Sequence, residues 1–139
     1  MADSLVVDIV EPTGSIFRGP VMRFRAPGTK GSFEILKNHA PMLVQTGIGP
    51  VHLTTADGTR ITFATGGGFV EVGDNRVIMI VESAEPASEI DIERAKQAEE
   101  RARGNLDRGS ASEQKKAEVA LERARNRLRV AMGQVGTQR

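Results

Sequence analysis

Along roughly the first 85 residues, short apolar runs rich in β-branched side chains are cut every few positions by Gly, Pro, Asp or Asn, which is the punctuation of strands rather than helices. Leu5-Val6-Val7-Asp8-Ile9-Val10 ends in Glu11-Pro12-Thr13-Gly14, a Pro and a Gly at turn spacing. Val21-Met22-Arg23-Phe24-Arg25 alternates, which puts Met22 and Phe24 on one face and both arginines on the other. Ser32-Phe33-Glu34-Ile35-Leu36 precedes the loop Lys37-Asn38-His39-Ala40-Pro41, and the apolar pattern resumes over 42–46. Ala56-Asp57-Gly58-Thr59, between Val51-His52-Leu53-Thr54-Thr55 and Arg60-Ile61-Thr62-Phe63-Ala64, is the strongest hairpin signal in the chain. It sends His52 to the face opposite Leu53, as a strand-surface side chain. Gly66-Gly67-Gly68 leads into Phe69-Val70-Glu71-Val72, and Gly73-Asp74-Asn75-Arg76 turns into Val77-Ile78-Met79-Ile80-Val81. Such a series of short strands with no helix between them predicts an antiparallel all-β sandwich or barrel.

From Ser88 the period becomes helical. Ser88-Glu89-Ile90-Asp91 has the spacing of a capping box, with Asp91 reaching back to the Ser88 amide. Ile92, Ala95, Ala98, Ala102 and Leu106 then follow one face, and Gly104-Asn105 and Gly109-Ser110-Ala111-Ser112 break the helix. A second helix carries Ala117, Leu121, Ala124, Leu128, Ala131 and Val135 at alternating spacings of four and three. Joined by a short loop, the two predict an antiparallel hairpin. Its mostly alanine seam buries little apolar area at about 25 cal/mol per Å², so this hairpin is one that can open. The division is therefore an all-β sandwich or barrel over residues 1–87 and a two-helix hairpin over 88–139.

Composition narrows the function classes. Among 139 residues, Lys plus Arg is 19 and Asp plus Glu is 18, and a net charge of +1 makes no case for nucleic acid or for attraction to an anionic membrane. With no cysteine there are no disulfides and no thiolate chemistry. The start of the chain has no signal-type apolar run, and no stretch is apolar enough for direct insertion into lipid.

No set of residues converges as an active site, so no enzymatic activity and no catalytic residue is expected. The two histidines, His39 in a Pro-containing loop and His52 in a strand, have no metal-ligand spacing. Gly66-Gly67-Gly68 is followed by a strand and by no Gly-Lys-Ser/Thr, which assigns it to close backbone approach rather than to phosphate. Arg123 and Arg127 are four apart on one side of the second helix's seam, and Arg125 and Arg129 are four apart on the other. Each pair is a two-guanidinium fork suited to phosphate or carboxylate oxygens, unless Glu118 and Glu122 neutralise it as ordinary surface pairs. Asp91, placed on the side of Ala95, Ala98 and Ala102, needs a partner; a capping role and a ligand role both satisfy that need.

Two blocks carry a family resemblance. Gly31-Ser32-Phe33-Glu34-Ile35-Leu36-Lys37-Asn38-His39-Ala40-Pro41-Met42-Leu43 and Gly67-Gly68-Phe69-Val70-Glu71-Val72 with Asn75 and Val77 resemble the two sequence blocks of the epsilon subunit of the rotary F-type ATP synthase. The similarity spans nearly the whole chain; Glu34, Lys37 and Asn38 depart from the Gly, Pro and Gly that many members carry. The resemblance implies an N-terminal sandwich of about ten short antiparallel strands followed by a C-terminal antiparallel α-helical hairpin. It implies a non-catalytic subunit of the central rotor that binds the gamma subunit and sits on the c-ring, peripheral to the cytoplasmic face of a bacterial plasma membrane. Ser32, Glu34 and His39 are the c-ring contacts carried over from it.

The family's hairpin can extend into the catalytic head and block ATP hydrolysis. Some members also bind ATP on the folded hairpin through Ile/Leu-Asp-x-x-Arg-Ala and two arginines of the second helix. Ile90-Asp91-Ile92-Glu93-Arg94-Ala95 matches that motif, and Arg123 and Arg127 match the arginines, with Glu85 where those members place another contact. The resemblance thus names Glu85, Asp91, Arg94, Arg123 and Arg127 as an ATP site, with ATP a regulatory ligand and no cofactor or metal required. The competing reading is a stand-alone nucleotide-sensing module without an inhibitory role.

Overall fold

The structure, a computed structural model, describes residues 4–133. Nine strands come first: β1 (Leu5–Glu11), β2 (Gly14–Gly28), β3 (Gly31–Ile35), β4 (Met42–Thr46), β5 (Gly49–Thr55), β6 (Arg60–Thr65), β7 (Gly68–Gly73), β8 (Arg76–Val81) and β9 (Ala84–Pro86). A 3₁₀ turn over Ala87–Glu89 leads to two helices, α1 (Ile92–Asn105) and α2 (Ala111–Ala131). This is the β-sandwich and helical hairpin that the sequence predicts, with nine described strands in place of about ten.

One long strand makes two layers out of one sheet. The hydrogen-bonded order is β1-β8-β7-β4-β2-β5-β6-β9, with β3 beside β2 and β1 also pairing β2. The first half of β2 pairs β1, from Leu5 opposite Val21 to Glu11 opposite Gly14, and the second half pairs β5 and β3. That first half, Gly14 to Pro20, carries Gly and Pro and so lacks a strand signature in the sequence. One pairing departs from an all-antiparallel sheet, because β1 and β8 run parallel.

A bulge corrects the facing of Met22. The β2–β5 register steps from Val21 opposite Thr55 to Arg23 opposite Thr54, so two residues of β2 stand against one of β5. Val21 and Phe24 consequently both enter the core, and Met22, expected beside Phe24, is 58% exposed. The core behind it joins Phe24, Leu53, Phe63, Ile9, Ile35, Val70 and Met79, and Phe17 meets Phe63 edge-on with ring centroids 6.3 Å apart.

The hairpin between β5 and β6 forms around Asp57-Gly58 in the expected register, with His52 opposite Thr62 and Leu53 opposite Ile61. Asp57 takes hydrogen bonds from the Thr55 hydroxyl and then from the Thr59 amide, which hold its carboxyl below the usual carboxylate range. His52 does lie across the strand from Leu53, but not as a surface side chain: long neighbours cover it until 8% remains exposed. Burial, and then the charge of Arg25, push its imidazole below the ordinary 6.5.

Gly68 has the backbone role assigned to its triplet. A Cβ there would drive into the carbonyl oxygen of Ile80 on β8, whereas a Cβ at Gly73 would meet nothing within 4 Å. Gly68→Ala is therefore expected to cost at least about 2 kcal/mol in urea unfolding, as a forced backbone shift in a packed sheet, while Gly73→Ala stays within about 0.5 kcal/mol. For His52 the sign of the pH effect follows from its lowered folded-state value. The unfolded chain binds the proton more readily, so the contribution is constant above 6.5 and is lost as pH falls through and below it. The difference in urea midpoint between wild type and His52→Gln should accordingly narrow between pH 7.5 and pH 5.

Candidate functional site

The helices start at an aspartate. Asp91 is extended, and its Oδ1 accepts the Arg94 amide at 3.1 Å, which makes it the N-cap of α1. Ser88, expected to hold that place in a capping box, lies inside the preceding 3₁₀ turn and caps nothing. The reciprocal box forms one helix later. The Ser110 hydroxyl accepts the Glu113 amide at 3.3 Å, and Glu113 Oε1 accepts the Ser110 amide at 2.9 Å. These bonds, first that from the Ser110 amide, lower the Glu113 carboxyl.

Between the helices the seam is Ala95 and Ala102 against Ala117, Leu121, Ala124 and Leu128, all buried. Ile92, expected on this seam, is exposed, because the chain enters α1 at the rim of the hairpin; Val135 falls outside the described residues. A second buried face of α2 was not legible from the heptad pattern. Asn126 and Val130 are 3% and 2% exposed, and Asn126 lines a cleft with Ala64 and Thr65 of β6 and Ala84 of β9. Thus α2 is held on two sides, by α1 and by the sandwich.

The arginines of α2 do not pair with Glu118 or Glu122 among the described residues. Arg123 Nη2 reaches Glu82 Oε1 at 2.8 Å and Arg127 Nε reaches Glu85 Oε1 at 3.5 Å, both carboxylates on the sandwich side. Arg125 Nε instead reaches Glu99 Oε2 of α1 at 3.3 Å, an oxygen that also takes Arg103 at 3.4 Å. Each part of the molecule is thereby tied to the next by exposed or half-exposed ion pairs, each contributing about 0–1 kcal/mol.

Where the start of α1, the end of β9 and the middle of α2 meet, a cleft of about 500 Å³ opens. Glu85, Asp91, Arg94 and Arg127 line it together, and Arg123 lines an adjoining cleft of about 260 Å³ that also includes Glu85 and Arg127. Glu89 and Arg101 complete the larger cleft and were not singled out in the sequence. Arg101 carried a signal, since it lies seven residues after Arg94 and therefore on the same side of α1. The lining is apolar only at Ala95 and Ala98; the rest is carboxylate and guanidinium. The guanidiniums can hold phosphate oxygens in a fork, and the carboxylates can accept from hydroxyl or amino groups.

The other candidate residues lie on the sandwich. Ser32 and Glu34 share the outer face of β3, where the Ser32 hydroxyl accepts Arg25 Nη2 at 3.0 Å. His39 sits half-buried in the β3–β4 loop, its Nδ1 2.7 Å from the Ala40 carbonyl oxygen. That loop leans on the β7–β8 turn: Asn75 Oδ1 accepts the Asn38 amide at 2.6 Å, and Asn75 Nδ2 donates to Asn38 Oδ1 at 3.2 Å. Asn38, Asp74 and Asn75 all take the left-handed conformation that Asn and Asp tolerate. On the outer face of β7, β8 and β4, Phe69, Ile80 and Leu43 stand exposed, with Phe69 paired to Ile80 in register.

Comparison with known proteins follows the same two-part division. Residues 4–87 match the family described as ATP synthase, Delta/Epsilon chain, beta-sandwich domain, and residues 88–132 match ATP synthase, Delta/Epsilon chain, long alpha-helix domain. The ATP synthase epsilon chain of Salinibacter ruber is 53% identical, over 99% of this chain and 98% of its own length. Among solved structures, a chain of the Euglena gracilis mitochondrial ATP synthase superposes with a TM-score of 0.81 at 23% identity, covering 91% of this chain and 80% of that one. A chain of the Tetrahymena thermophila mitochondrial ATP synthase central stalk and c-ring gives 0.62 at 19%, covering 93% and 97%; at these identities the likeness is one of fold. With both family descriptions matched end to end and a relative sharing half its residues, the chain belongs to the delta/epsilon chain family of the ATP synthase.

Proposed function

We propose that this chain is a non-catalytic subunit of the central rotor of an F-type ATP synthase, whose hairpin senses ATP when folded and restrains ATP hydrolysis when it extends into the catalytic head. The observation that carries the sensing half is the cleft at the root of the hairpin, which gathers Glu85, Asp91, Arg94 and Arg127 from three separate elements. In this reading Arg94, Arg127 and the adjoining Arg123 take the phosphates, and Glu85 and Asp91 accept hydrogen bonds from the base or ribose. A ligand that requires the folded hairpin stabilises it by RT ln(1 + [L]/Kd), about 2.7 kcal/mol at a hundredfold excess over Kd. That exceeds what the exposed ion pairs between α2 and the sandwich supply singly, so ATP level can decide whether the hairpin stays docked.

For the rotor half, the exposed apolar patch of Phe69 and Ile80, paired in register, with Leu43 on the neighbouring strand supports a protein partner, since a soluble monomer rarely leaves large apolar patches uncovered. We assign this face to the gamma subunit, and Ser32, Glu34 and His39 to the c-ring, which makes the chain peripheral to the membrane. No described helix is long and apolar enough to cross one.

Calorimetry on the isolated chain tests the sensing half: ATP should bind at millimolar Kd or tighter, and Arg127→Ala should weaken it at least about tenfold, the loss of one charge-assisted contact. Asp91→Ser separates the two roles of that residue, because serine keeps the N-cap to within a few tenths of a kcal/mol whereas Asp91→Ala loses about 1 kcal/mol. Reduced ATP binding with α1 intact in Asp91→Ser supports the ligand role; unchanged binding leaves Asp91 as a cap alone. The inhibitory half is read separately, from ATP hydrolysis by a catalytic head lacking this subunit. Addition of the full chain should slow it and addition of residues 1–87 should not; an unchanged rate at saturating full chain refutes inhibition.

A further inference from the structure

The outer face of β3-β2-β5-β6 gathers positive charge around a buried imidazole, at a cavity that shares no lining residue with the hairpin cleft. Two rows cross it. Glu34, Arg25, His52 and Thr62 stand side by side in register, and so do Arg23, Thr54 and Arg60. Their side chains enclose a cavity of about 130 Å³, three guanidiniums facing one carboxylate over His52.

Outside this face five of the described arginines, Arg18, Arg103, Arg123, Arg125 and Arg127, make ion pairs and five, Arg76, Arg94, Arg101, Arg108 and Arg129, do not. Arg23, Arg25 and Arg60 also make none among the described residues; what sets them apart is that all three line one cavity. Even Glu34, opposite Arg25 in register, is not in ion-pair contact with it; Arg25 donates to Ser32 instead. Like charges crowded over a half-desolvated site repel, and a bound anion relieves that repulsion. A cavity of about 130 Å³ has room for a tetrahedral oxyanion.

We propose that Arg23, Arg25 and Arg60, with His52 as its floor, form a second anion site on the sandwich that takes one oxyanion of the phosphate class. The arginines supply the forked donors and Thr54 and Thr62 line the rim. His52 Nδ1 lies 3.1 Å from Thr62 Oγ1, so the ring is fixed by its strand neighbour while its other nitrogen stays available. The groups facing this imidazole are Arg23 and Arg25 from β2, Glu34 from β3 and Arg60 from β6. An anion among them offsets the arginine charge and makes the imidazole easier to protonate.

His52 is thus its own reporter, and His39, in the β3–β4 loop and outside the cavity lining, is the control in the same spectrum. In the full chain, imidazole NMR resonances are followed while sodium sulfate, whose charge is constant across the pH range, is titrated against sodium chloride at matched ionic strength. His52 should shift saturably and titrate at higher pH in sulfate, with His39 moving no more in sulfate than in chloride. Arg25→Gln and Arg60→Gln should each weaken the sulfate midpoint at least about tenfold, and Arg127→Ala should leave it unchanged, which separates this site from the hairpin cleft. Equal movement of His52 in the two salts, or an unaltered midpoint in both arginine variants, overturns the proposal. Sedimentation with phosphatidylglycerol vesicles then identifies the source. Binding lost in Arg25→Gln names a lipid headgroup, and a wild-type chain that stays in solution while still binding sulfate names a free anion.

Discussion

Two guanidinium–carboxylate contacts, Arg123 with Glu82 and Arg127 with Glu85, are where the helical half of this molecule meets the sandwich through charge, and both lie in or beside water. Their weakness governs what the C-terminal half can do. Buried pairs would resist separation because each partner left alone inside would cost several kcal/mol; exposed ones part at little cost, since water replaces the lost partner. Beside them α2 has a buried face, at Asn126 and Val130. Asn126 occupies a buried position on the sandwich face of α2 that a Leu could have filled, and the helix–helix seam is alanine at four of its six buried places.

The sandwich is constructed on the opposite plan. Its core side chains come from both halves of β2, and the bulge at Met22 is what lets Val21 and Phe24 both point inward across the change of partner from β1 to β5. Gly68 fixes the approach of β7 to β8 at a distance no side chain permits. Rigidity here has a use. The two layers turn different chemistry outward, apolar at Leu43, Phe69 and Ile80 and cationic at Arg23, Arg25 and Arg60, so one domain presents two chemically distinct surfaces.

Much of this was legible in the residues, and the failures have physical causes. Strand boundaries, the Asp57-Gly58 hairpin and the helical period after residue 90 follow from local chemistry that acts within a few positions. Alternation misplaced Met22 because a bulge depends on which strand lies alongside, not on the strand's own pattern. His52 looked like a surface residue since cross-strand neighbours, distant in sequence, supply its cover. The capping box was sought at Ser88 and formed at Ser110, whose Ser-x-x-Glu spacing is the better match but stood among residues read as helix breakers. Of the hairpin cleft, Glu85, Asp91, Arg94 and Arg127 were named from the sequence. Arg101 was passed over although its spacing from Arg94 puts it on the same side of α1, and Glu89 needed the fold to bring it in.

The same contacts set the terms on which a ligand acts. Arg127 is held by Glu85, so an anion entering the cleft must share this guanidinium or take it, and in taking it weakens a tie between α2 and the sandwich. Binding and docking would then oppose each other unless the ligand returns the contact. A nucleotide can do so because it has two ends: phosphates suited to Arg94 and Arg127, and a ribose or base whose donors suit the carboxylates, including a Glu85 released from its pair. Inorganic phosphate has only the first end. It could occupy the arginines yet leave the carboxylates unpartnered, and so would gain little for the closed hairpin. Under the proposed sensing role, recognition of a whole nucleotide and stabilisation of the folded hairpin would, in a cleft lined by opposed charges, be one requirement rather than two.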